Sequence, residues 1–112
     1  MEDKLYILWT SGDPITAEKM VLMYALNSKL QGWWRDVTVV IWGASARIVA
    51  EKKGIQDKVV DLLDAGVKVE ACKACSDQID VTATLERLGV DVKYWGENLT
   101  NVLKSSAKLI TI

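Results

Sequence analysis

Two hydrophobic periods alternate along this chain, and they divide it into short strands and amphipathic helices. Residues 5–9 (LYILW) form a brief apolar run that predicts a buried strand. Residues 36–42 (DVTVVIW) are almost continuously apolar and β-branched, as in a central strand of a parallel sheet. Residues 67–71 (VKVEA) and 90–95 (VDVKYW) alternate apolar with charged positions and predict a third and a fourth strand. A last strand is expected over residues 107–112. Between these runs the pattern turns helical over residues 14–30, 45–53, 55–65, 77–88 and 97–105. Asp13 suits the N-cap of the first helix, with Pro14 at its first position. Gly32, Gly54, Gly66 and Gly89 stand where helices should end. Alternating strands and helices predict an α/β fold, a parallel sheet with helices packed on its faces.

Side-chain parity adds a constraint. Lys68 and Glu70 share one face of the third strand, and Asp91 and Lys93 share one face of the fourth. The first two strands carry no such charged face, so strands three and four should be neighbours at one side of the sheet. Their charged faces should lack helix cover, and opposite charges should pair across them. Cys72 continues the parity of Lys68 and Glu70, which places it at the top of that open face. The first helix is different, because its apolar residues from Ile15 to Leu30 nearly encircle it. A surface helix carries a single stripe. Cover on a second side is expected, from another subunit; the alternative is a central helix that needs no partner.

Composition narrows the function. The 112 residues form one domain, 1–112, long enough for a hydrophobic core. The formal net charge is −1 with both signs interspersed, which argues against nucleic acid as a partner. Glu18, Lys19, Asn27 and Lys29 interrupt the longest apolar pattern, so no membrane span is expected. Residues 1–4 (MEDK) lack a signal-peptide layout, and a cytoplasmic protein is expected. Histidine is absent, which excludes Ser-His-Asp and Cys-His catalysis and imidazole metal sites. The two cysteines cannot complete a four-thiolate metal site within one chain. Neither a cofactor nor a metal is called for.

The chemistry concentrates in Cys72-Lys73-Ala74-Cys75, which holds the only cysteines and follows the third strand. In a reducing compartment, close thiols point to redox, sulfur or metal chemistry rather than a structural staple. Loops at the C-terminal ends of parallel strands are where such sheets bind ligands. A helix N-terminus favours anions, and Lys73 between the sulfurs acts in the same direction. The plain alternative is two small buried residues at a strand–helix junction. Trp9, Trp42 and Trp95 close strands at the same edge and are candidate walls of a thiol pocket, or simply large residues that end strands well. Ser11 and Asp13, and Gly43 with Ser45, weakly resemble small anion-binding turns, although an N-cap with a glycine turn is the better account of them. Glu97 and Asn98 complete the candidate rim. Thioredoxin-like exchange lacks its usual context, since the only proline is Pro14.

The order of elements, the Gly-Asp first loop and the Val-Glu-Ala-Cys ending of the third strand resemble the DsrE/DsrF-like proteins. Leu-Glu-Arg-Leu-Gly-Val-Asp-Val-Lys-Tyr and the closing Asn-Leu-Thr-Asn-Val-Leu-Lys-Ser resemble them too, so the likeness spans essentially the whole chain. It implies a three-layer α/β/α sandwich around a five-stranded parallel sheet. It implies homo-oligomers, trimers or hexamers, with sites at subunit contacts. It also implies a sulfur relay in which a persulfide forms on the cysteine matching Cys72, with a sulfur donor and an acceptor protein as partners. Cys75 lies outside the general pattern and is assigned as a second, resolving thiol. A sulfurtransferase-like relay is thus the leading expectation. The competing readings are a non-enzymatic oligomer that holds a small ligand in a tryptophan-lined pocket, and a thiol–disulfide or metal site on both cysteines.

Overall fold

The computed structural model describes residues 3–112. Met1 and Glu2, part of the expected absence of a signal peptide, lie outside the described residues. The strands are β1 (Lys4–Trp9), β2 (Asp36–Ile41), β3 (Lys68–Cys72), β4 (Asp91–Lys93) and β5 (Lys108–Thr111). They form one parallel sheet in the order β4-β3-β2-β1-β5. The helices are α1 (Pro14–Thr16), α2 (Met23–Leu30), α3 (Ala44–Glu51), α4 (Lys53–Asp64), α5 (Lys73–Gln78), α6 (Thr82–Leu88) and α7 (Gly96–Lys104). A π-helical segment, Ala17–Leu22, joins α1 to α2 and keeps the path of one long helix, as the hydrophobic pattern predicts.

Strand order decides where the helices go. The steps β1 to β2 to β3 to β4 all run the same way across the sheet, so right-handed crossovers lay their helices on one face. The step from β4 to β5 reverses direction over the whole sheet, and α7 falls on the other face. Helices therefore cover both faces, but unequally. The main core lies under the first set, where Ile7, Val39, Ile41, Val59, Leu62 and Leu85 are fully buried. The second face carries a smaller apolar cluster built on Val40, Cys72 and Trp95, with Leu99 and Val102 of α7 against it.

The parity expectations hold for strand neighbours and charge pairing but not for cover at the strand ends, because Cys72 is buried in the cluster that α7 joins rather than emerging on an open face. β3 and β4 are neighbours at one side of the sheet. Lys68 is exposed, and Lys93 Nζ reaches Glu70 Oε1 at 3.2 Å across the two strands. Two boundaries need correction. The helix expected over residues 77–88 is two helices, because α5 starts directly after Cys72 and stops before Asp80, whose φ of 60° is left-handed. Fixing an aspartate there is tolerable because its short polar side chain suits that region. The fourth strand ends at Lys93, leaving Tyr94 68% exposed and Trp95 at the N-cap of α7. Among the described residues, no helix is long and apolar enough to cross a membrane.

Candidate functional site

The two cysteines have different surroundings, and backbone geometry sets the difference. Cys72 is both the last residue of β3 and the N-cap of α5, with φ −73° and ψ 114°. Its strand parity turns the thiol onto the α7 face, where it is 6% exposed and packs with Val40 and Trp95. Cys75 stands on the first turn of α5 and is half-buried at the edge of the same cluster. Both thiols are free. The Gly43 N–H donates to Cys75 Sγ at 3.0 Å. Gly43 has φ 72° and ψ −134°, a backbone shape that a side chain resists, and that shape turns its N–H toward the sulfur.

The loop that carries Gly43 is fixed by Ser45. This buried hydroxyl donates to the Trp9 carbonyl at 2.6 Å and accepts the Trp42 N–H at 3.1 Å, tying the ends of β1 and β2 together. On the opposite side of the thiols, Ser76 and Thr82 share a 2.6 Å hydrogen bond, and Thr82 donates to Asp77 at 2.5 Å. These contacts hold α5 against α6 across the Asp80 break. Lys73 Nζ pairs with Asp77 Oδ2 at 2.7 Å and lies 5.7 Å from the centre of the Tyr94 ring. That hydrogen bond to Asp77 raises the Lys73 pKa, and the hydrogen bonds from Lys73 and Thr82 lower that of Asp77. The lysine charge is thus matched by a carboxylate one helical turn away.

The other expected rim residues divide. Trp42 and Trp95 join the cluster around Cys72, whereas Trp9 shares the parity of Leu5 and Ile7 and is buried in the main core. Trp95 donates its indole N–H to Glu70 Oε1 at 2.7 Å and meets Tyr6 edge-on at 6.0 Å between ring centres. Asp13 caps the first helix, accepting the Thr16 N–H at 2.8 Å, and Ser11 accepts the Asp13 N–H at 3.1 Å. The backbone N–H groups of Thr10 and Ser11 donate to the Ile112 carbonyl at 2.7 and 3.2 Å. The first loop is therefore occupied by its own capping bonds. Glu97 is exposed on the first turn of α7, and Asn98 faces a cavity beside Trp95.

Glu70 and Lys93 are site residues that the sequence did not single out, and Gly43, legible as part of a small anion-binding turn, was not legible as the donor to Cys75. Glu70 and Lys93 were legible as an open charged face but not as partners of Trp95. Lys93 is partly buried, which works against its charge, yet hydrogen bonds to Asp91 and Glu70 outweigh that and raise its pKa. No group of three or more Cys, Asp or Glu among the described residues stands close enough to hold a metal ion.

No family model matches the chain, and no curated protein matches it. Solved structures do. The E. coli ychN protein superposes with a TM-score of 0.73 at 17% identity, over 100% of both chains. MTH1491 from Methanobacterium thermoautotrophicum, a protein of unknown function, gives a TM-score of 0.73 at 18% identity, covering 97% of this chain and 98% of that one. These two likenesses establish the fold. BT1422 from Bacteroides thetaiotaomicron, a conserved protein of unknown function, gives a TM-score of 0.96 at 40% identity, covering 98% of this chain and 95% of that one. With that identity over almost the full length of both chains, the protein belongs to the family of BT1422.

Proposed function

We propose that this chain is a DsrE-like sulfur carrier whose Cys72–Cys75 pair takes up and passes on sulfane sulfur. The observation that supports it best is the pairing of a reachable thiol with a sheltered one. Cys75 is half-buried and receives a backbone N–H, and Cys72 is packed among Val40 and Trp95 one helical turn away. The Cys75 thiolate attacks the outer sulfur of a donor persulfide, forming Cys75–S–SH and releasing the donor thiolate. The Cys72 thiolate then takes that outer sulfur, leaving Cys72–S–SH and a free Cys75 thiolate. Attack on the inner sulfur instead releases hydrosulfide and leaves a Cys72–Cys75 disulfide. Shelter at Cys72 slows loss of the persulfide to water-borne thiols, which is what a carrier needs.

The carrier is proposed to work as a homo-oligomer, a trimer or hexamer. Its support is the first helix, where Ile15, Met23 and Leu30 remain 70%, 48% and 62% exposed opposite the buried Ala17, Val21 and Ala25. The DsrE/DsrF-like resemblance favours the same reading.

Mass spectrometry after polysulfide loading tests the carrier. The expected result is a gain of one sulfur atom, located on Cys72 in the parent protein. In Cys75→Ser, loading of Cys72 should slow at least tenfold, since the reachable thiol is gone. In Cys72→Ser, the sulfur should remain on Cys75 and be lost faster to added thiol. No gain on either cysteine would refute the carrier, and undiminished loading of Cys72 in Cys75→Ser would refute the entry role of Cys75.

A further inference from the structure

A second concavity lies on the α7 face, beside the thiols but not built from them. It is an open concavity of about 260 Å³. Its floor is one row of the sheet. Tyr6, Thr38 and Lys68 are register partners across β1, β2 and β3, and all three line the cavity. Three polar residues therefore stand in one row, their backbones at the strand spacing of ~4.8 Å. Such inward positions of a parallel sheet are ordinarily apolar. One wall is α7, which presents Asn98 and Asn101, three residues apart on one side of the helix. The other wall is Trp95, with Val102 beside it.

The hydrogen bonds formed here join Trp95, Glu70 and Lys93 to one another. They leave the floor row and both asparagines for an occupant of the cavity, although Thr38 is only 5% exposed. Of these groups Thr38 is the buried one, and a buried hydroxyl needs a partner. The charge of the lining favours an anion, because Lys68 and Lys93 face a single lining carboxylate, Glu70. Asp91 also bonds Lys93, but from the open side, where its side chain is 63% exposed.

We propose that this cavity binds a small hydroxycarboxylate. The carboxylate sits on Lys68 and Thr38, the hydroxyl groups bond Asn98 and Asn101, and the carbon skeleton lies against Trp95 and Val102. This site is independent of the sulfur reading.

Titration of the full-length, ¹⁵N-labelled protein with lactate and with gluconate tests it, with glycerol and inorganic phosphate as comparison probes. The expected result is saturable shifts of the Trp95 indole N–H and of the Asn98 and Asn101 carboxamides with a hydroxycarboxylate, and none with glycerol. Lys68→Met, an exposed position that leaves the fold intact, should weaken binding about tenfold or more, as loss of a charge-assisted hydrogen bond does. Thr38→Val, which keeps the side-chain shape, should weaken it several-fold. The proposal is overturned if neither acid saturates, if phosphate alone does, or if Lys68→Met binds like the parent. It is also overturned if the same signals move with protein concentration and no added acid, since a second copy then closes this face. Cys72→Ser and Cys75→Ser should bind as the parent does, so failure here leaves the carrier standing.

Discussion

At the scale of residues, the candidate thiol site depends on a glycine that the sequence marks only as a turn. Gly43 lies 32 positions from Cys75, yet its N–H is the hydrogen-bond donor to that sulfur. Its φ of 72° with ψ of −134° is nearly closed to residues with a Cβ. Gly43→Ala should therefore cost about 1–3 kcal/mol in urea unfolding, the usual strain of such a backbone. It should also change the alkylation rate of Cys75 more than that of Cys72, measured by peptide mapping after iodoacetamide. Carboxylates add a pH dependence. The Thr16 hydrogen bonds hold Asp13 below the ordinary carboxylate range, and those from Lys73 and Thr82 do the same for Asp77. A folded-state pKa below the unfolded one means stability is present in full above the unfolded value. It is lost as pH falls through the folded value. Thermal scans on the acid side should show Tm falling, and Asp13→Ala should start from a Tm a few degrees lower with a shallower acid loss. Asp13 was legible as an N-cap from its place before Pro14. The Gly43 contact was not, because nothing local encodes a bond between two loops.

At the scale of elements, period and parity carried most of the structure. β2 reads as a central strand because nearly every position is apolar, and it is buried from Val37 to Ile41. Ile41→Ala should cost about 2–5 kcal/mol in chemical denaturation, since no neighbouring element can move into the space. That is a large share of the ~5–15 kcal/mol that holds such a domain together. Parity also separates the tryptophans. Trp9 belongs with Leu5 and Ile7 in the main core, whereas Trp42 and Trp95 belong with Cys72. That division was available from the sequence once each residue was assigned a face, and only their shared position at strand ends suggested a common pocket. The break between α5 and α6 was not available. Residues 77–88 keep a helical pattern on both sides of Asp80, and the kink is fixed by Ser76, Thr82 and Asp77 bonding across it.

At the scale of the molecule, unequal helix cover is the decisive property. Three crossovers in one direction and one in reverse leave α7 alone on a face that four strands help to build. The sheltered cysteine and the polar cavity both lie on that face, on either side of Trp95. The first helix is on the other face and presents its unused apolar side outward. If that side is the subunit contact, sedimentation should give a trimer or hexamer, and the pair Met23→Lys and Leu30→Lys should shift it toward monomer. A monomeric parent at micromolar concentration would reject the assembly while leaving the thiol chemistry open to its own test.

The sequence by itself determined the α/β class, the strand and helix periods, the neighbouring charged edges of β3 and β4, and the C-x-x-C at a strand end. Each of these follows from local periodicity or from residue type. Only the tertiary structure decided which thiol is sheltered, which tryptophans surround it, that Gly43 reaches Cys75, and that Tyr6, Thr38 and Lys68 line one cavity beside α7. Those depend on strand order and register, which bring together residues far apart in the chain. The Cys72–Cys75 pair is thus written in four consecutive residues, and its asymmetry comes from what the fold packs on either side of them.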